Sequence, residues 1–413
     1  MLRLKISLFL NYIVFAILLN SVGIVILQVQ SSYGVSKTDA SVLEAFKDLT
    51  IAVVSFLIAS YVTRIGYKRA MLIALGMVTV ACLLMPQLPA FWTTKLLFAT
   101  VGASFALIKV SVFATIGLFT KDANEHASFM NFLESMFMLG VMSTYFLFSA
   151  FVDNAHPTST SWLTTYYVLA AIAGAAFLLL LTTPLDESQI DSQEKAVGLN
   201  NLADMLRLAA RPLVLVFIFT AFTYVLMEQG IMSWLPTFNK EYLKLPSSLS
   251  IQMASILAAS TALGRLLAGF ALRKVTWYAL LMICLVVAVG LVFLALPLAE
   301  KASNAAVAGT DYGWFDAPVA AFLFPLIGLF IAPIYPAINS AILSSLPLKQ
   351  HGPMAGLIVV FSALGGTTGS IITARIFETY GGQTAFYASL VPITLLLVLL
   401  TVFRRMQGGG KVA

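Results

Sequence analysis

Residues 94–152 read TKLLFATVGASFALIKVSVFATIGLFTKDANEHASFMNFLESMFMLGVMSTYFLFSAFV. Two long apolar runs flank a polar turn around Lys121, Asp122 and Glu125, and each run carries one charge near its middle, Lys109 in the first and Glu134 in the second. A bilayer's hydrocarbon core of ~30 Å takes about 20 helical residues, and both runs reach that length. An ammonium or carboxylate at that depth costs about 2.5–3.5 kcal/mol on insertion scales, so it normally faces a polar cavity or a partner. The hairpin therefore predicts membrane-spanning helices and directs the search for function to charges inside spans.

The rest of the 413-residue chain agrees with that reading. It is 60% hydrophobic and 10% charged, with a mean hydropathy of +0.94, whereas soluble proteins are about 25% charged. The apolar runs are continuous and do not alternate with period two, which selects helices over a β-barrel as the way to satisfy the backbone in lipid. The predicted class is an all-α membrane protein. Its net charge of +6 is not a nucleic-acid signal, because the basic residues fall in short loops. Cys82 and Cys284 lie inside apolar runs with no metal-ligand spacing around them, so they read as packing residues without a disulfide framework. The stretch from Ile6 to Val29 is too long for the apolar core of a signal peptide and reads as the first span.

Runs of spanning length fall at 5–28, 41–63, 70–88, 94–119, 128–152 and 163–183. A polar stretch from Asp186 to Leu206 separates them from six more at 212–238, 248–271, 277–299, 317–346, 353–377 and 383–403. The expected organisation is a six-helix bundle over 1–185, a cytoplasmic linker over 186–210 and a second six-helix bundle over 211–413. Fifteen Lys and Arg, from Arg3 and Lys5 to Arg404, Arg405 and Lys411, fall on one set of loops, and six, among them Lys37 and Lys240, on the other. By the positive-inside rule both termini are then cytoplasmic. The halves also look like repeats: a shift of 207 lays Phe15, Gly23 and Ile24 on Phe222, Gly230 and Ile231. Larger offsets lay Gly102 and Lys109 on Gly328 and Tyr335, and His126 and Gly140 on His351 and Gly365. Duplication of this kind is the pattern of secondary transporters, whose substrate site is expected near the bilayer midplane between the repeats.

The loop after the second run, Thr63-Arg64-Ile65-Gly66-Tyr67-Lys68-Arg69, is a basic turn in which glycine permits a tight reversal. It resembles the cytoplasmic loop between spans two and three of the major facilitator superfamily, with Thr63 where that family usually has an acid. Within it, Arg64-Ile65-Gly66-Tyr67-Lys68 is similar to the loop of the fucose/galactose/glucose-proton symporter branch. Ser128 to Gly140, Tyr224 to Trp234 and Gly328 to Ser340 resemble that branch's fifth, seventh and tenth spans. The resemblance implies twelve transmembrane helices in two six-helix pseudo-repeat halves, a monomer, alternating access, a sugar or sugar-like substrate and proton coupling. Members of the branch carry an acid in span one after an asparagine and another in span four. Here those positions hold Ser21, after Asn20, and Lys109.

The coupling acid is therefore sought among this chain's own carboxylates, and Glu134, Asp48, Glu44 and Glu228 are the proton-coupling candidates. Glu44, Lys47 and Asp48 share one helix face through spacings of three and four. Lys109 is expected to pair with Glu134 or Asp48, so that protonation of the carboxylate releases the lysine; a static pair holding helices in register is the alternative. Solute hydroxyls need donors and acceptors, and ring faces stack on aromatics, which makes Lys109, Asn20, Gln229, Trp234, Tyr335 and Asn339 the substrate-binding candidates. Arg64, Gly66 and Lys68 are assigned to a gating loop. Arg265 is assigned a structural role, near enough to the cytoplasmic end of its span to reach toward Arg273 and Lys274. Glycines 365, 366 and 369, with Pro333 and Pro336, are expected to allow close approach and bending of spans eleven and ten.

No phosphate-binding loop, zinc-protease motif or nucleophile elbow occurs, so no cofactor, metal or covalent catalysis is expected. The expected function is secondary active transport of a small polar solute by proton symport in the inner membrane of a bacterium, with the solute, protons and the lipid bilayer as partners. A transporter or antiporter of a small organic anion, using Lys109 as counter-charge, is the alternative. A receptor that binds solute without moving it would need an appended signalling region, for which the linker and tail are short.

Overall fold

The computed structural model describes residues 2–58, 62–119, 123–185, 205, 207–272, 274–305, 313–346 and 350–409, and no strand occurs among them. Of the expected linker over 186–210, residues 186–204 and 206 lie outside the described residues. The chain forms two compact units, Met1–Val35 with Val42–Leu199, and Ser36–Ser41 with Asn200–Ala413. The first contains α1 (Leu2–Asn20), α2 (Val22–Tyr33), most of α3 (Lys37–Ile58), α4 (Tyr67–Gln87), α5 (Phe91–Phe119), α6 (Ala123–Ser149) and α7 (Thr165–Thr182). The second contains α8 (Pro212–Glu241), α9 (Ser247–Ala271), α10 (Trp277–Ala305), α11 (Ile334–Ser344), α12 (His351–Tyr380) and α13 (Leu390–Gly409).

Among the described residues, ten helical stretches are long and apolar enough to cross a membrane. The two other expected spans coincide with α3 and α6. The α3 helix carries Lys37, Asp39, Glu44, Lys47 and Asp48, more charge than a plain lipid-facing helix tolerates. Among the described residues of α6, Met136–Ser149 forms a shorter apolar helical stretch.

Three expected spans are divided; bending was expected in the tenth, at Pro333 and Pro336, but no break in the first or the last. The first breaks at Ser21, whose hydroxyl donates to Leu18 O at 2.8 Å while Asn20 Nδ2 donates to Ala16 O at 2.8 Å. Side chains that bond back to the preceding turn compete with the helical ladder. The tenth is divided into Val319–Leu323, Ile327–Ile331 and α11, with Pro325 and Pro333 at the joints, since proline supplies no N–H. The last is divided into Gly382–Tyr387 and α13.

Lipid tails are as apolar as leucine, so packing and close approach hold such helices together and small residues decide where they meet. A Cβ at Gly102 of α5 would sit 2.5 Å from Lys47 O of α3, and one at Gly140 of α6 would sit 2.8 Å from Ile13 O of α1. In the second unit, a Cβ at Gly328 would sit 2.8 Å from Leu257 O of α9, and one at Gly365 of α12 would sit 2.5 Å from Phe222 O of α8. The glycines that the repeat alignment pairs, 102 with 328 and 140 with 365, thus make matching contacts: fourth expected span on second, fifth on first. The internal repeat is a repeat of close-packing sites.

The basic loop is built around Gly66, whose φ of 90° and ψ of 140° lie outside the range open to other residues. Lys68 Nζ donates to Thr183 O at 2.7 Å and Leu181 O at 3.1 Å, covering carbonyls left over at the end of α7. Lys68 therefore ties the start of α4 to the end of α7, while the Arg64 side chain lies outside the described residues. Hydrogen bonds to a charged group contribute about 1.5–3 kcal/mol when protected, less for a half-exposed one. Lys68→Met is expected to lower the thermal midpoint of the purified protein by the equivalent of about 1 kcal/mol. An unchanged midpoint would remove the tie from the account.

Candidate functional site

Each unit holds a polar array inside its helices. In the first, one turn of α3 places Lys47 Nζ 2.5 Å from Glu44 Oε1 and 3.4 Å from Asp48 Oδ1. The side chains are 5%, 0% and 12% exposed respectively, so this is a buried cluster in which one ammonium serves two carboxylates. Such a cluster persists because each charge would cost several kcal/mol, in order of magnitude, if left alone in a low-dielectric interior. The contact of Gly102 with Lys47 O sets α5 against this turn. Lys109, seven residues on, lies about 10 Å further along α5, at 1.5 Å per residue. It is exposed, and its ammonium is 5.8 Å from the Phe105 ring centroid. Asp48 is held by Lys47 on the same turn. Glu134 is on α6, but its side chain, like those of His126 and His351, lies outside the described residues.

The second array starts on α8. Tyr224 and Glu228 are one turn apart, and the tyrosine hydroxyl donates to Glu228 Oε1 at 2.7 Å. Arg265 of α9 reaches the same oxygen, with Nη2 3.8 Å away; its side chain is 39% exposed and that of Glu228 16%. Arg265 is therefore part of the array, reaching Glu228 on a neighbouring helix where a reach toward the Arg273 and Lys274 loop was expected. Tyr335 of α11 stacks on Tyr224 with centroids 5.6 Å apart and 22° between the ring planes, and its hydroxyl shares a 2.8 Å hydrogen bond with Ser362 of α12. Four helices thus contribute to one chain of contacts running Arg265, Glu228, Tyr224, Tyr335, Ser362. A carboxylate, a guanidinium and a ring face side by side can accept, donate and stack, which is what gripping a polar solute requires.

The remaining candidates distribute unevenly. Asn339 lies one turn from Tyr335, half-buried, with its Oδ1 buried and outside any hydrogen bond in this arrangement. Gln229 is half-buried beside Glu228. Trp234 is fully buried, its indole N–H donating to Ser370 of α12 at 3.1 Å, so it acts as a helix-packing anchor here and not as an open ring. Asn20 bonds back to its own helix at the Ser21 break. Tyr224 and Ser362 are the members that sequence reasoning missed, of which Tyr224 carried a signal in its spacing of four from Glu228; Arg265 stood out as a charge inside a span but was assigned a structural role.

These features define a class: a multi-pass helical membrane protein that holds polar groups inside its spans. The sequence profile described as Major Facilitator Superfamily matches residues 6–309. The chain belongs to the Major Facilitator Superfamily. No curated protein matches it by sequence. Among solved structures, a bacterial homolog of the human lysosomal transporter Spinster, inward-facing and unoccupied, superposes with a TM-score of 0.78 at 13% identity, covering 97% of this chain and 96% of that one. The nucleoside transporter NupG gives 0.69 at 17% identity, with 98% of each chain covered. The E. coli fucose:proton symporter FucP gives 0.60 at 15% identity, covering 98% and 97%. At these identities the likeness is one of fold.

Proposed function

We propose that the protein is a twelve-span secondary active transporter with both termini cytoplasmic, organised as bundles 1–185 and 211–413 joined by a cytoplasmic linker. It works as a monomer in a bacterial inner membrane and imports a small polar, sugar-like solute together with protons by alternating access. The observation that carries this reading is the Arg265–Glu228–Tyr224–Tyr335 array, which offers charged hydrogen-bonding groups and an aromatic face at one place in the membrane-embedded fold. Glu228 and Arg265 bind solute hydroxyls, Tyr335 supplies the ring face, and Asn339 and Gln229 flank them. Asp48 carries the proton: Lys47 is held closely by Glu44, and Asp48 is the more distant and more exposed acid of the cluster. The loop of Arg64, Gly66 and Lys68 gates the cytoplasmic side.

The test is solute-driven proton movement in reconstituted vesicles, screening neutral sugars against organic anions. A neutral sugar is expected to drive proton entry. Losing a hydrogen bond to a charged group removes about 1.5–3 kcal/mol, so Glu228→Gln should weaken sugar binding roughly 10- to 150-fold. Exposure of Lys109 on a helix of the first unit favours one second reading, transport of an organic anion. If only anions move, and Lys109→Ala alone abolishes their movement, that reading replaces the first.

A further inference from the structure

The second unit also holds an apolar groove, and we propose that it seats one acyl chain of a membrane lipid against the side of α8 turned away from Glu228. The groove has a volume of about 290 Å³ and lies between α8, α12 and the last span. Its origin is the break in that span. Ala388 and Ser389 interrupt the helix, Ser389 Oγ donating to Phe386 O at 2.6 Å, and Pro392 brings no N–H to the new first turn. Leu226, Met227 and Gly230 of α8 line the space beside this break.

The groove's floor is buried, with Phe386, Met227 and Ile231 only 2–3% exposed, while rim residues Ile372, Leu395 and Val391 are 43%, 46% and 68% exposed. A buried floor with an outward rim on membrane spans is continuous with the surface that hydrocarbon covers. Its polar lining amounts to the hydroxyls of Thr223, Thr373 and Ser389, of which Ser389 is already bonded. Water needs two to four polar partners, and a polar solute needs more, so neither suits this volume. A flexible hydrocarbon chain fills an irregular apolar volume and restores the dispersion contacts that an empty groove forfeits.

The groove's position on α8 gives the chain a consequence. At 100° per residue, the groove-lining positions between 222 and 231 centre roughly 130° around the helix from Tyr224 and Glu228. An acyl chain there bears on the back of the helix that presents the carboxylate. The floor also includes Gly230, which has no side chain to place in the space.

The experiment uses the full chain in nanodiscs doped with a phosphatidylcholine bearing a diazirine on its acyl chain, followed by irradiation and peptide mapping. Labelling is expected to concentrate on residues 372–376 and 388–395, well above the exposed α10 positions Ile283 and Val286, and to fall several-fold in Ala388→Trp. Labelling of α10 should not change in that variant. Should Ala388→Trp melt early, Val391→Trp repeats the test from a rim position that tolerates bulk. Groove labelling no higher than on α10, labelling indifferent to both tryptophans, or cross-links to a second copy in place of lipid would each overturn the proposal.

Discussion

In the Asp48→Asn protein, solute is expected to equilibrate across vesicle membranes by counterflow but no longer to accumulate against its gradient. The argument begins with charge. Two carboxylates and one ammonium share a turn of α3, Glu44 being in hydrogen-bond contact with Lys47 and Asp48 0.9 Å further from it (3.4 against 2.5 Å). Asparagine keeps the shape of the side chain and leaves the Glu44–Lys47 pair intact, so the bundle should still fold and rearrange. What it removes is the carboxylate proposed above to carry the proton. Moving one charge across 100 mV stores about 2.3 kcal/mol, and at RT of about 0.59 kcal/mol this supports roughly a 50-fold accumulation ratio. The variant should bring that ratio to about 1, with counterflow within a few-fold of wild type. Accumulation that survives the substitution would move the proton to another acid, Glu134 or Glu228; loss of counterflow as well would make Asp48 structural.

The reading of the sequence reached the all-helical membrane class because hydropathy reports burial in lipid directly. Ten of the twelve expected spans coincide with stretches long and apolar enough to cross, and the repeat alignment anticipated glycines that make matching contacts in each unit. Other features were hidden for physical reasons. The breaks at Ser21 and at Ala388–Ser389 sit inside continuous apolar runs, where composition does not register a side chain bonding to its own backbone. Trp234 looked available because a span's lipid face and its packed face are both apolar, so periodicity does not separate them as it does in a soluble helix. Arg265 was assigned to the loop since its sequence neighbours point there; its actual partner, Glu228, is on another helix, and pairing between spans is a tertiary fact. The local cluster of Glu44, Lys47 and Asp48, in contrast, was legible from spacing alone.

Gly369→Leu is expected to be the most damaging single substitution in the second unit. A Cβ at Gly369 would overlap Leu226 O, C and Cα, all backbone atoms of α8, so no rotamer change relieves the contact and the two helices must separate. Overpacking a tight site costs about 1–3 kcal/mol, more where the obstacle is rigid. Separation of α8 from α12 would also pull Tyr224 and Glu228 away from the helix that carries Ser362. Two controls distinguish this from a general intolerance of larger residues. Gly230→Ala meets the hydroxyl of Thr373, a side chain that can turn away, and should cost less than about 1 kcal/mol. Gly290→Ala in α10 meets nothing within 4 Å, and replacing a mid-helix glycine with alanine gains about 0.5–1 kcal/mol of backbone entropy. Melting midpoints of the three purified variants should therefore order as Gly290→Ala at or above wild type, Gly230→Ala slightly below, and Gly369→Leu far below or too poorly folded to purify. A Gly369→Leu protein that melts like wild type would mean that α8 and α12 do not pack at this distance. The Tyr224–Tyr335–Ser362 connection that spans those helices would then lose its structural basis.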